Sequence, residues 1–177
     1  MIRKILIVSD SHRRTNNVKT AIDRERPDML IHLGDIEDNP EEVRAWLDAA
    51  ARARKDSGEN VSLPIPAVFI QGNCDVYGPY KLSKSAVFEV NNHRFFCSHG
   101  HVQGVNMGIE NLFYTAQEND CDIAMFGHTH VPFDDEYDGV RILNPGSISE
   151  PRGGSKKGYI VMTFENEDDY EIERKNL

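Results

Sequence analysis

Short apolar runs of strand length alternate with predicted helices in the first 70 residues, and this alternation limits the folds open to the chain. The runs are rich in β-branched residues: Lys4–Ser9, Met29–Leu33 and Pro66–Ile70. Helices are predicted between them at Asn17–Arg26 and Pro40–Ala53, the second with Asn39 placed to cap it. Strands that alternate with helices are typical of crossover units, which build a largely parallel sheet.

The remainder of the chain favours hairpins. Asp138-Gly139 is a strong hairpin signal between two strand-like runs, and Asn91-Asn92-His93 is interpreted as a second hairpin connection. A helix is predicted at Gly108–Glu118 and a further buried run at Ile123–Phe126. The remaining predicted strands are Val87–Val90, Arg94–Ser98, Asp134–Tyr137, Val140–Leu143, Tyr159–Phe164 and Tyr170–Arg174, the last two as an antiparallel pair. We therefore expect an α/β fold of two sheets flanked by helices.

Composition narrows the class of protein. The 177 residues are within the usual size of one domain, so a single domain over residues 1–177 is expected. No apolar run approaches membrane-spanning length, and the N-terminus lacks a small-residue cleavage site, so a cytoplasmic location is predicted. The three cysteines lack the spacing of a disulfide framework or a thiolate zinc site. The net charge of −9 weighs against binding duplex nucleic acid.

Polar motifs follow five of the predicted strands. They are Asp10-Ser11-His12, Gly34-Asp35, Gly72-Asn73-Cys74-Asp75, Ser98-His99-Gly100-His101 and Gly127-His128-Thr129-His130. Ligands of open α/β sheets bind outside the carboxyl ends of the strands, where loops converge. The five motifs therefore predict one shared site.

The residue types in these motifs are those of a metal site. Oxygen and nitrogen donors without thiolates suit Mn²⁺, Fe²⁺, Co²⁺, Ni²⁺ or Zn²⁺ better than Ca²⁺. Five of the seven histidines lie in the motifs. The other two are interpreted as structural, His32 as a strand residue and His93 as a hairpin residue. Each motif alone is also compatible with an ordinary cap or turn.

The ordered set DSH, GD, GNCD, SHGH and GHTH resembles the calcineurin-like metallophosphoesterase superfamily. With its short length and its GNCD variant, the chain most resembles the small YfcE-like phosphodiesterase subgroup, which is related to Vps29. The segment Asn144–Ser147 with Pro151-Arg152 matches that subgroup too, so the resemblance covers residues 10 to about 152. It implies a four-layer α/β/β/α sandwich of two mixed β-sheets flanked by helices.

The resemblance implies two divalent metal ions, with Mn²⁺ the first expectation. One ion would be held by Asp10, His12, Asp35 and His130. The other would be held by Asp35, Asn73, His99 and His128. Asp35 would bridge the two ions, and a bridging hydroxide would attack phosphorus in line.

The candidate catalytic residues are Asn73, Cys74 and His101. Many superfamily members have His at the position of Cys74, where it is thought to protonate the leaving group, and a thiol is a weaker donor. We therefore expect modest activity that favours esters with good leaving groups. Alternatively, Cys74 is a small loop residue and His101 orients a metal ligand. Arg152 contacts substrate phosphate or lies solvated at the surface.

The predicted function is hydrolysis of small phosphodiesters by a dinuclear metal-dependent phosphodiesterase. The alternative is a Vps29-like protein-interaction module with weak or no catalysis, which lost metal ligands would favour, and none is lost here. A nuclease of the Mre11 kind is disfavoured by the short chain and its acidity. No membrane partner is expected, and a homodimer is expected on base rates alone.

Overall fold

Ten strands and three helices make up the fold in the computed structural model, which describes residues 1–177. The strands are β1 Lys4–Val8, β2 Met29–His32, β3 Ala67–Phe69, β4 Ser85–Val90, β5 His93–Ser98, β6 Ile123–Met125, β7 Phe133–Tyr137, β8 Val140–Asn144, β9 Gly158–Phe164 and β10 Tyr170–Asn176. The helices are α1 Thr15–Glu25, α2 Pro40–Asp56 and α3 Glu110–Glu118, and one 3₁₀ turn spans Asp75–Tyr77. Each predicted strand and helix is confirmed, with ends shifted by a few residues.

The strands form two five-stranded sheets that each combine parallel and antiparallel pairs. The first sheet has the order β10-β9-β1-β2-β3, in which β1, β2 and β3 are parallel. The second has the order β4-β5-β6-β8-β7, in which β5, β6 and β8 are parallel. Parallel strands end at the same edge of a sheet, so the loops after β1, β2, β5 and β6 can meet there.

Alternation of side chains along the strands explains the layers. Ile5 and Ile7 of β1 pack between the two sheets, against residues such as Phe95 and Met125. Leu6 and Val8 point the other way and pack under α1 and α2. On the far side, α3 covers the outer face of the second sheet. The order of layers is therefore helices, sheet, sheet, helix, which confirms the expected four-layer sandwich.

Local signals in the sequence explain where elements begin and turn. Asn39 caps α2 by accepting a hydrogen bond from the backbone N–H of Glu41 at 3.0 Å, and Pro40 occupies the first helical position. The β7–β8 hairpin turns at Asp138 and Gly139, both with positive φ. None of the three helices is long and apolar enough to cross a membrane.

Candidate metal centre

The loops at the ends of four strands meet at one edge of the sandwich. The backbone N–H of His12 donates to the carbonyl of Asp35 at 3.0 Å, which joins the loops after β1 and β2. The N–H of Gly127 donates to the carbonyl of His99 at 3.1 Å, which joins the loops after β5 and β6. The N–H of His128 donates to Oδ2 of Asp10 at 3.2 Å, which joins the two sheets. The predicted convergence of these loops is therefore present.

The first donor cluster consists of Asp10, His12 and His130. Oδ1 of Asp10 lies 3.2 Å from Nε2 of His130 and 3.9 Å from Nε2 of His12. The two imidazole nitrogens are 3.2 Å apart. Because the three donor atoms lie within 4.8 Å of one another, they are close enough to hold one ion together.

The second donor cluster consists of Asp10, Asp35 and His99. Nε2 of His99 lies 3.3 Å from Oδ2 of Asp35 and 3.9 Å from Oδ1 of Asp10. Oδ2 of Asp35 also lies 4.0 Å from Nε2 of His12. The carboxylate of Asp35 therefore faces both clusters.

The proton on each of three histidine rings is fixed by a hydrogen bond on its far side. Nδ1 of His99 and Nδ1 of His130 lie 2.7 and 2.6 Å from backbone carbonyl oxygens, which only accept, so both Nδ1 atoms donate. Nδ1 of His12 donates in the same way to the carboxylate of Glu37 at 2.7 Å. In the neutral rings each Nε2 therefore presents a lone pair to the carboxylates.

Two buried atoms at the centre of the site have no hydrogen-bond partner. They are Oδ1 of Asp10 and Nε2 of His99. Buried polar atoms are normally satisfied, and both of these atoms are electron-pair donors in the neutral ring and the ionised carboxylate. A cation satisfies such a set, so the residues present fit a bound divalent metal.

The pKa shifts of the carboxyl groups indicate that the site favours positive charge. Burial acts to raise the pKa of Asp10, but the neighbouring His130 and His99 outweigh it and bring that pKa below its ordinary value. Burial likewise acts to raise the pKa of Asp35, and His99 with the N–H of Cys74 holds it well below the usual range. Both carboxyl groups are therefore ionised at neutral pH, as metal ligands must be.

The histidines opposite these carboxylates shift in the complementary direction. Burial lowers the pKa of His99, but Asp35 and Asp10 raise it above its ordinary value overall. Burial lowers the pKa of His130 as well, and the bond to Asp10 raises it overall. A ring whose pKa is raised by neighbouring carboxylates lies where positive charge is favoured, and a metal ion supplies that charge as well as a proton does.

Asp75 is a buried carboxylate whose role the sequence motifs did not reveal. Its Oδ2 accepts the backbone N–H groups of Asp35 and Gly72, and its Oδ1 accepts that of Glu37, each at 2.8 Å. Three backbone donors on one carboxylate fix the loop that carries Asp35. A Cβ on Gly72 would lie 2.0 Å from Oδ1 of Asp35, so only glycine fits there. The only signal for this role in the sequence is that Asp75 lies in the GNCD motif, two residues after the predicted ligand Asn73.

The Asn144–Ser147 segment also fixes the loops of the site through hydrogen bonds. Nδ2 of Asn144 donates to the carbonyl of Gly127 at 2.8 Å, and Oγ of Ser147 donates to the carbonyl of Asp10 at 2.7 Å. Oγ of Ser9 donates to Oδ2 of Asp10 at 2.6 Å. These contacts orient the carboxylate of Asp10 without adding a metal ligand.

The remaining predicted ligands lie at the periphery of the clusters. The ring of His128 lies 5.2 Å from that of His99 between centroids, and its Nε2 is 2.9 Å from Nδ2 of Asn106. Asn73 is exposed, and its Nδ2 donates to Sγ of Cys74 at 3.3 Å. His128 belongs to neither of the two tight donor clusters.

The candidate catalytic thiol lies against the first and second clusters. Sγ of Cys74 groups with donor atoms of His12 and Asp35 within 4.8 Å. Burial, and then the charge of Asp35, raise the pKa of Cys74 to about 12. The side chain is therefore a protonated thiol at neutral pH, which can donate a proton but is a weak acid.

His101 and Arg152, the other two residues considered for catalysis, lie close to donor residues. The ring of His101 lies 5.4 Å from that of His99, and its Nδ1 has no hydrogen-bond partner. Burial and then His99 lower the pKa of His101, which keeps it neutral. The backbone N–H of Arg152 donates to the carbonyl of His130 at 3.1 Å, while its side chain is exposed.

The two histidines interpreted as structural are bonded elsewhere. Nε2 of His32 is 3.0 Å from Oγ of Ser11, and Nδ1 of His32 accepts the N–H of Gly34 at 3.3 Å. His93 is hydrogen-bonded to the carboxylate of Asp122 and lies at the start of β5, at the opposite end of that strand from His99. Neither ring joins a donor cluster.

Comparison with known proteins identifies the family to which the chain is similar. Residues 4–167 match the model of the calcineurin-like phosphoesterase superfamily domain. The phosphodiesterase YfcE of Escherichia coli K12 is 27% identical over 170 residues, which cover 90% of this chain and 86% of YfcE.

Solved structures share the fold. A predicted phosphoesterase from Streptococcus pneumoniae TIGR4 is 28% identical and aligns with a TM-score of 0.76 over 99% of this chain and 90% of that chain. Vps29 of Chaetomium thermophilum aligns with a TM-score of 0.71 over 98% of this chain and 95% of its own, but at 15% identity it shows the fold alone. The donor motifs, the four layers and the match over most of the chain agree: the chain belongs to the calcineurin-like phosphoesterase superfamily.

Proposed function

We propose that the chain is a dinuclear metal-dependent phosphodiesterase, with Mn²⁺ as the first metal to test. One ion would be held by Asp10, His12, Asp35 and His130. The other would be held by Asp35, Asn73, His99 and His128. Oδ2 of Asp35 lies 3.3 Å from Nε2 of His99 and 4.0 Å from Nε2 of His12, which supports its role as the bridging ligand.

One observation carries the proposal. The Nε2 atoms of His12, His99 and His130 converge on the carboxylates of Asp10 and Asp35, and two atoms of this set, Oδ1 of Asp10 and Nε2 of His99, have no hydrogen-bond partner. Such an arrangement of electron-pair donors is stable only with positive charge among them. Buried donors of this kind, each oriented by a second hydrogen bond, are typical of metal sites.

When bound at these residues, divalent ions would supply Lewis-acid chemistry: they would make hydroxide available from water near neutral pH and would offset negative charge on the phosphate oxygens. Asp10 and Asp35 remain ionised and hold their positions through Ser9, Ser147 and the loop fixed by Asp75. Two carboxylates do not cancel two dications, so the site attracts a phosphodiester despite the net charge of −9.

Cys74 and His101 are the side chains proposed to assist the departing ester oxygen. Cys74 is a protonated thiol beside both clusters, and His101 is a neutral ring with an unpaired Nδ1 near His99. Asn73 would contribute its amide oxygen to the second ion. Because a thiol with a pKa of about 12 is a weak acid, the rate should depend steeply on the leaving group.

The experiment measures hydrolysis of bis(4-nitrophenyl) phosphate with added Mn²⁺. We expect turnover that a chelator abolishes and that returns when Mn²⁺ is restored. His99→Gln should reduce the rate by at least about a hundredfold, since it removes a central donor. His93→Gln is the control, because it makes the same substitution at a hydrogen-bonded histidine that lies outside the site.

Two results would count against the proposal. Turnover that survives chelation, or that His99→Gln and His93→Gln reduce equally, would contradict a metal-dependent mechanism. Absence of turnover in a correctly folded, metal-loaded protein would favour the interaction-module alternative instead.

A further inference from the structure

A cavity of about 310 Å³ opens directly beside the metal centre. Cys74 and Glu37 are among the residues that line it. Sγ of Cys74 lies within 4.8 Å of donor atoms of His12 and Asp35, and Glu37 accepts the Nδ1 hydrogen of His12, so the cavity adjoins the place where these donors would hold a phosphate. A substituent on that phosphate would extend into it.

The far wall of the cavity is aromatic and aliphatic. Tyr77 and Tyr80 form part of it, with Leu82 and the buried Ile36 below them. The ring of Tyr77 is 95% exposed and that of Tyr80 is 37% exposed, so both offer a free face. Tyr77 ends the 3₁₀ turn that begins at Asp75, whose three backbone bonds anchor the base of this wall.

The charges around the cavity limit what it can accept. Arg13 is the one cation that lines it, and its guanidinium is 3.3 Å from Glu37. Asp38 also lines the cavity, and its carboxylate is bonded to Thr15 and Asn39. Because three acids, Glu37, Asp38 and Asp75, line the cavity against one cation, a second phosphate is disfavoured there and an uncharged group is favoured.

We propose that this cavity, the tyrosine pocket of Ile36, Tyr77, Tyr80 and Leu82, binds an uncharged planar aromatic group esterified to the phosphate. This inference rests on the proposed phosphodiesterase function and names the substrate class of the same site. Tyr77 and Tyr80 are then specificity-determining residues that stack on the ring. The ring belongs either to a small aryl ester or to a nucleoside.

The test compares phenyl phosphate with methyl phosphate as competitive inhibitors of the manganese-loaded enzyme. Both place the same phosphate at the metals, so the ratio of their inhibition constants measures the pocket alone. We expect phenyl phosphate to bind about tenfold more tightly. The double variant Tyr77→Ala/Tyr80→Ala should bring the ratio close to one and leave the methyl phosphate constant unchanged.

Two further variants control for trivial effects. Tyr114→Ala removes an exposed tyrosine of α3 outside the pocket and should leave the ratio unchanged. Tyr77→Leu/Tyr80→Leu keeps an apolar wall without aromatic faces and should give an intermediate ratio. The source of the ring is distinguished by adenosine 5′-monophosphate against ribose 5-phosphate, since a tyrosine-dependent preference for the former identifies a nucleoside and its absence a small aryl group.

Equal inhibition by phenyl and methyl phosphate in the unaltered enzyme would overturn the inference, as would a preference that the double alanine variant retains. In either case, hydrolysis of the chromogenic diester and inhibition by methyl phosphate would show that the phosphodiesterase proposal still stands. If neither hydrolysis nor methyl phosphate inhibition occurs, both proposals fail together.

Discussion

The carboxylate of Asp75 fixes the loop that carries Asp35, one of the predicted metal ligands. It accepts backbone hydrogen bonds from Asp35, Gly72 and Glu37, although it lies outside both donor clusters. Mutation of residues that hold metal ligands in place through such bonds typically costs about 10- to 100-fold in metal affinity. Asp75 is therefore a positioning residue for Asp35.

Asp75→Asn should weaken Mn²⁺ binding by about 10- to 100-fold, because an amide NH₂ faces backbone donors where an acceptor is needed. Calorimetric titration of the metal-free protein with Mn²⁺ measures this change. The matched control is Asp122→Asn, since Asp122 accepts the N–H of Arg94 at 2.7 Å far from the site. If both variants weaken Mn²⁺ binding equally, the effect comes from general destabilisation and not from positioning.

Cys74→His should raise the rate most for esters with poor leaving groups. Imidazole titrates near neutral pH, whereas burial and Asp35 raise the pKa of Cys74 to about 12, and matched general acids contribute about 100-fold or more. The measurement is the dependence of kcat on leaving-group pKa across substituted aryl diesters, which should become shallower. Cys74→Ser controls for loss of the thiol, and unchanged rates and selectivity in Cys74→His would refute the role.

His32 makes the free energy of unfolding depend on pH. Burial lowers the pKa of His32 to about 4, although the carboxylates of Asp75 and Asp10 oppose that shift. In the unfolded chain its pKa is near 6.5, so the unfolded chain binds more protons between these values. The stability that a neutral His32 provides is therefore complete above pH 6.5 and is lost as the pH falls towards 4.

The free energy of unfolding should consequently fall by about 2 kcal/mol between pH 7.5 and pH 5 through this residue alone. His32→Asn keeps an acceptor for the N–H of Gly34 but cannot titrate, so its unfolding free energy should be flatter over this range. Urea unfolding of the metal-free protein at several pH values tests this. Parallel pH profiles for the two proteins would contradict the assignment.

At the scale of elements, α2 depends on its cap. Asn39 accepts the N–H of Glu41 at 3.0 Å, and the helix packs Val43 and Leu47 onto the first sheet. Asn39→Ala should lower the free energy of unfolding by about 1 kcal/mol, whereas Asn39→Asp should retain most of it. Denaturant unfolding provides the values, and phosphodiesterase activity should be unchanged in both. An equal loss in the two variants would show that the side-chain bond is not responsible.

The strands and helices could be predicted because their signals are local. Asp138-Gly139 specified a turn that the β7–β8 hairpin adopts, and Asn39-Pro40 marked the start of α2. The donor motifs could also be found, since Asp10, Asp35 and His99 each follow a strand. The bonds of Asp75 to three backbone groups could not be predicted, because they depend on how the loops after β2 and β3 approach each other in space. The tyrosine pocket likewise depends on tertiary structure, because it brings Ile36 of the loop after β2 beside Tyr77, Tyr80 and Leu82 of the segment after β3.

At the scale of the whole molecule, the two sheets share one apolar interior. Residues from Ile5 near the start to Phe164 near the end pack between them. We therefore propose that residues 1–177 form a single domain, with the metal centre at the edge where both sheets end. The donor set draws on both sheets, with Asp10 and Asp35 from the first and His99 and His130 from the second. Metal binding would consequently join the sheets and stabilise the whole fold.

The most direct measurement is anomalous diffraction from crystals of the protein soaked with Mn²⁺, collected near the manganese absorption edge. The account predicts two anomalous peaks roughly 3.5–4 Å apart, one between Asp10 and His130 and the other beside His99, with Asp35 between them. Peaks only at surface carboxylates, or no peak among these side chains in a fully loaded crystal, would contradict it.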